Sequence, residues 1–176
     1  MKNETLSGSS LPRQNVFVKI ISLSWLKKSH IVEIIALFFV ILFIYTGIGK
    51  LLEFDVFQEQ LEESPVMAPI APVVAWGLPI TEFIISLLLF FPRYRLKGLY
   101  LTFTLMILFT AYIITLFTIS PELPCSCGGI IEALSWKGHL IFNSTLILLS
   151  FVAIRMQRTL KHSKELTEER YLSSHV

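Results

Sequence analysis

Four stretches of this chain carry few charged or strongly polar side chains, and shorter polar segments separate them. They run over about residues 31–52 (IVEIIALFFVILFIYTGIGKLL), 70–91 (IAPVVAWGLPITEFIISLLLFF), 98–119 (GLYLTFTLMILFTAYIITLFTI) and 138–156 (GHLIFNSTLILLSFVAIRM). A helix needs about 20 apolar residues to cross a hydrocarbon layer of about 30 Å, so each stretch is long enough to span a bilayer. The pattern predicts an all-α integral membrane protein built as a four-helix bundle. Prolines bracket the spans: Pro69 and Pro72 precede the second, Pro92 follows it, and Pro121 and Pro124 follow the third. Pro79 falls inside the second span, where it frees a backbone carbonyl and predicts a kink. Three parts are expected: a cytoplasmic N-terminal segment (1–30), the membrane domain (31–156) and a polar cytoplasmic tail (157–176).

Composition agrees with the pattern. Of 176 residues, 53% are hydrophobic and 16% charged, against about 25% charged in soluble domains. The mean hydropathy is +0.66. These values exclude a water-soluble globule, a disordered chain and a disulfide-stapled secreted domain. A formal charge of +2 is too small to suggest nucleic-acid binding.

Lysine and arginine placement orients the bundle. Five precede the first span (Lys2, Arg13, Lys19, Lys27, Lys28), three separate the second and third (Arg93, Arg95, Lys97), and five follow from Arg155 (Arg155, Arg158, Lys161, Lys164, Arg170). The loop over 53–69 has none, and the loop over 120–137 has only Lys137. The positive-inside bias predicts both termini in the cytoplasm and those two loops outside an inner (plasma) membrane. The N-terminal stretch lacks the pattern of a cleaved signal, so the first span is expected to be retained. Residues 16–28 mix apolar side chains with lysine, as a helix lying on the cytoplasmic surface would, or form a loosely ordered tail. From Lys161 the chain is polar, as a short solvated helix or a segment without fixed structure would be. In the outer loop, Val56, Phe57, Gln60 and Leu61 fall near one face of a short helix, expected to rest on the outer membrane surface.

The segment ELPCSCGG places Cys125 and Cys127 just after the third span, on the expected outer, disulfide-permitting side. A bond between cysteines one residue apart closes a very small ring, which removes little unfolded-state entropy. Such a ring departs from relaxed disulfide geometry and is the more easily reduced. Gly128 and Gly129 supply backbone freedom for a tight turn. Three readings stand: an incidental or structural pair, a Cu(I) or Zn site formed with His139, and a thiol–disulfide exchanging pair. Compartment and ring strain together favour exchange.

Ionisable residues inside spans are functional candidates, and they usually face the bundle interior. Glu82 lies about 18 Å below the outer end of its span at 1.5 Å per residue, too deep to reach water. It either hydrogen-bonds a neighbouring helix as an acid, relays a proton, or pairs with a cation. Lys50 sits near the outer end of the first span, able to snorkel outward or to reach a carboxylate within the bundle. Glu33 is an ordinary boundary residue. His139 and Asn143 stand four apart, hence on one helical face, at the level of the cysteine loop. The imidazole is placed to exchange the proton of a thiolate or to be a plain interfacial histidine. Trp76 and Trp136 fit an aromatic belt; Gly47, Gly49 and Gly77 suggest close helix approach.

Taken in order, GIGKLLEFDVFQEQLEESP, LPITEFIISLLLFFP, LPCSCGG and SWKGHLIFN resemble the MauE branch of the DoxX/MauE redox-associated membrane proteins. The likeness covers about residues 31–156. It implies a four-helix membrane protein like those associated with maturation of methylamine dehydrogenase, whose small subunit is rich in disulfides. It thus implies electron transfer or disulfide handling outside the cytoplasm, and by position points to Lys50, Glu82, Cys125, Cys127 and His139. The expected activity is that of a thiol–disulfide oxidoreductase. Its CSC pair would exchange electrons with an extracytoplasmic thioredoxin-like or disulfide-containing protein. No second cysteine pair exists for an internal relay, so electrons would pass to a quinone in the bundle or to another protein. The rival readings are a Cu(I)/Zn-binding membrane protein using Cys125, Cys127 and His139, and a maturation scaffold with dispensable cysteines.

Overall fold

The structure is a computed structural model that describes residues 14–119 and 136–173. Among the described residues five helices follow one another: α1 (Gln14–Leu52), α2 (Phe54–Glu63), α3 (Ala71–Phe90), α4 (Arg95–Ile119) and α5 (Trp136–Ser173), with a 3-10 turn at Ala68–Ile70 leading into α3. All but α2 are long and apolar enough to cross a membrane, in agreement with the four expected spans. Among the described residues there is no strand.

The spans form a ring. α1 packs on α3, α3 on α4, α4 on α5 and α5 back on α1, while the diagonal pairs barely meet. Each helix contributes one stripe at three- and four-residue spacing. On α1 the stripe is Val32, Ala36, Phe39, Phe43, Gly47 and Lys50; on α3 it is Ala71, Ala75, Pro79, Glu82, Ser86 and Leu89. On α4 it includes Leu99, Thr102, Met106, Ile113 and Leu116, and on α5 His139, Asn143, Leu146, Ser150 and Ala153. The polar site candidates are thus in phase with the apolar core. The opposite faces carry exposed Ile34, Ile41, Val73, Leu87, Leu108 and Leu148, an apolar exterior suited to lipid.

Several local details depart from or refine the sequence reading. Gly47 does permit close approach, because a Cβ there would lie 3.1 Å from the Phe83 ring. Gly49 and Gly77 have nothing within 4 Å of such a Cβ, so neither is needed for packing. A closer approach than at Gly47 occurs at Gly98, where a Cβ would meet the Leu89 side chain and backbone nitrogen at 3.0 Å. Pro79 is buried within α3 without ending it. α1 runs unbroken through residue 30, and α5 through residue 157 to Ser173. The polar C-terminal segment is therefore helical; beyond Leu160 most of its side chains are exposed. At the far end from Lys50, Arg95 Nη1 lies 3.6 Å from Glu33 Oε1 and joins α4 to α1.

The short helix α2 lies against the bundle. Its buried Phe57 and Leu61 pack with Ala71 and Ala75 of α3. Ser64, just after it, is buried and its Oγ accepts hydrogen bonds from Tyr112 Oη of α4 at 3.0 Å and from the Met67 N–H at 3.4 Å. Phe54 packs on Trp76 with ring centroids 4.6 Å apart. Helix α2 is thereby tied to both α3 and α4.

Candidate functional site

Lys50 and Glu82 are 32 residues apart in sequence, yet Lys50 Nζ donates to both Glu82 carboxylate oxygens, at 2.9 and 3.2 Å. Their side chains are 6% and 2% exposed, so neither charge is solvated by bulk water. The last turn of α1 supplies the lysine and the middle of α3 the glutamate. Gly47, one turn before Lys50, leaves room for the carboxylate: a Cβ there would lie 3.3 Å from Glu82 Oε2. Lys50 Nζ also donates to the Thr46 carbonyl at 3.3 Å and lies 5.9 Å from the centroid of the Phe57 ring, within cation–π range. Of the alternatives open for these residues, the structure takes the one in which glutamate and lysine pair. Such a pair gains Coulomb energy but loses hydration, so it is weak evidence of a stabilising role. Its burial inside a cavity is the more informative fact.

That cavity has a volume of about 700 Å³ and receives side chains from all five helices. Lys50, Glu82, His139 and Asn143 line it together with Ser64 and Tyr112, in a lining that is otherwise mostly apolar. His139, in the first turn of α5, is 2% exposed and is a buried cavity residue rather than an interfacial one. Asn143 follows one turn later on the same face. Three of the five site residues expected from sequence, Lys50, Glu82 and His139, therefore share one cavity at the α2 end of the bundle.

Cys125 and Cys127 lie outside the described residues. Among the described residues, no three His, Cys, Asp or Glu side chains are grouped so as to hold a metal ion, and two ligands of the metal reading are those same cysteines. Sequence reasoning did not single out Thr46, Ser64 or Tyr112 for the site. For Tyr112 a signal was available: it stands next to Ile113 on the buried stripe of α4, inside a span where a hydroxyl needs a partner. Ser64 offered none, since its role depends on how α2 folds back.

A family model described as methylamine utilisation protein MauE matches residues 28–156. Neither a curated protein nor a solved structure matches the chain.

Proposed function

This chain belongs to the MauE family, and from that premise we propose that it is a membrane thiol–disulfide exchange protein acting on extracytoplasmic proteins through Cys125 and Cys127. As a family member with four apolar spanning-length helices it is a multi-pass membrane protein, and the family's description supports a role in methylamine utilisation. The observation that supports the finer reading is the meeting of Lys50, Glu82 and His139 in one cavity. Ionisable side chains are kept inside a bundle at a cost in hydration and usually mark function. His139 follows Cys127 by only twelve positions of sequence.

In the proposed reaction, the thiolate of one protein attacks the disulfide of the other, forming a mixed disulfide and releasing one sulfur. The neighbouring cysteine then attacks that mixed bond, so two electrons pass between the CSC pair and the visiting protein. His139 holds or releases the proton that accompanies thiolate formation. The orientation that suits this chemistry places both termini in the cytoplasm and the segment between α4 and α5 outside.

The decisive experiment traps the intermediate. A Cys127→Ser or Cys125→Ser variant of the full chain, expressed in its own cells, is expected to accumulate a mixed disulfide with an extracytoplasmic protein in one of the two cases. Variants that fully preserve partner oxidation, or cysteines permanently reduced around bound copper or zinc, would overturn the reading.

A further inference from the structure

The cavity itself specifies a class of ligand. Its volume of about 700 Å³ falls within the range of about 300–1,000 Å³ typical of small-molecule sites. It is not sealed. Val56 on α2, Ile70 just before α3 and Leu108 on α4 line it and are 49%, 48% and 61% exposed. An opening at these residues meets the apolar outer surface, so a compound dissolved among acyl chains can enter from the side.

The charges narrow the choice further. Lys50 and Glu82 neutralise one another at 2.9 Å. A ligand bearing its own charge would leave that charge uncompensated among apolar walls, which is strongly unfavourable. Glu59 and Glu63 also line the cavity, but both are exposed on α2 and would repel an anion. A fatty-acid carboxylate or a phospholipid phosphate is therefore disfavoured. What fits is a neutral head with oxygen atoms that accept hydrogen bonds, attached to an apolar body. The Asn143 amide is a donor in the wall that can meet such an oxygen, beside the Lys50 ammonium, whose three N–H bonds go to Glu82 and the Thr46 carbonyl.

We propose that this cavity binds a membrane quinone, its carbonyl-bearing ring among Lys50, Glu82, His139 and Asn143 and its apolar tail directed to the opening. The proposal rests on the exchange reading and gives that reading its oxidant. The S–H bonds of Cys125 and Cys127 break and one S–S bond forms between them. The two electrons and two protons released convert the two carbonyls of the quinone to the hydroxyls of a quinol. Glu82 and His139 are the groups in the wall able to pass those protons on.

The test uses purified full-length protein in phosphatidylcholine nanodiscs, with decylubiquinone as the probe. Saturable retention is expected in the wild type, unchanged in the Cys125→Ser/Cys127→Ser double variant. At least tenfold weaker retention is expected in Leu105→Trp and in Leu78→Trp, which narrow the cavity from α4 and α3, with helix content checked by circular dichroism. No saturable retention by the wild type, or equal displacement by decylbenzene, which has the tail but no carbonyl, would overturn the proposal. The wild-type competition decides the matter even where a tryptophan variant does not fold. A trapped mixed disulfide without quinone retention removes this inference alone. Retention without any mixed disulfide removes the exchange reading and leaves the cavity its ligand.

Discussion

At the scale of single residues, the Lys50–Glu82 contact ties two helices together through charges that are each unfavourable alone. Removing one partner should be far worse than removing both. Lys50→Met is expected to destabilise the bundle by about 3–5 kcal/mol, because it leaves Glu82 buried without its counter-charge. The Lys50→Met/Glu82→Leu double variant should recover most of that loss, as read by reversible unfolding in mixed detergent micelles. Glycines give a second contrast. Gly98→Ala forces a methyl against Leu89 at 3.0 Å and should cost about 1–3 kcal/mol. Gly77→Ala meets nothing within 4 Å and should be neutral or, through helix propensity, stabilising by up to about 1 kcal/mol. Sequence could mark Lys50 and Glu82 as candidates because a charge inside an apolar span stands out. It could not tell which glycines are needed, since that depends on which face of each helix meets its neighbour.

At the scale of elements, the spans were legible because length and hydropathy alone determine them, and α3 and α4 lie within a residue or a turn of their expected bounds. α2 was legible as a short helix but not in its docking. The pattern placed Phe57 and Leu61 on one apolar face and led to the expectation that the outer membrane surface would cover it. The structure covers it with Ala71 and Ala75. Phe57→Ala or Leu61→Ala should accordingly loosen α2, at about 2–5 kcal/mol of local stability, and raise amide hydrogen exchange over residues 54–64 while α4 and α5 stay protected. Tyr112→Phe should have a milder effect, about 0.5–1.5 kcal/mol, because the Ser64 hydroxyl still accepts from the Met67 N–H. The C-terminal extension of α5 illustrates the opposite difficulty. Its polar composition fits a solvated helix and a tail without fixed structure equally well, and local pairs such as Lys161–Glu165 at 3.7 Å add little energy to decide between them.

For the whole molecule, the ring of four spans with a cavity at the α2 end could not be read from hydropathy. A pattern of apolar runs fixes how many helices cross and not how far apart their inner faces stand. The proposed orientation rests on the placement of lysine and arginine and has a direct check. In a Cys125→Ser/Cys127→Ser background, a cysteine introduced at Gln58 should react with a membrane-impermeant maleimide added outside intact cells, and one at Lys164 only after permeabilisation; the reverse result would invert the proposed sidedness. The ionic bond between α1 and α3 also bears on how such a bundle is assembled during synthesis. A lysine entering lipid near a helix end can extend toward the interface, but the glutamate that accepts it is translated 32 residues later. At about 5–20 residues per second the wait lasts a few seconds. Until then the first span is the less stable for its cation, and the arrival of α3 relieves it. The helical hairpin of these two is thus the earliest partnership with a strong reason to form, and the later helices close around it.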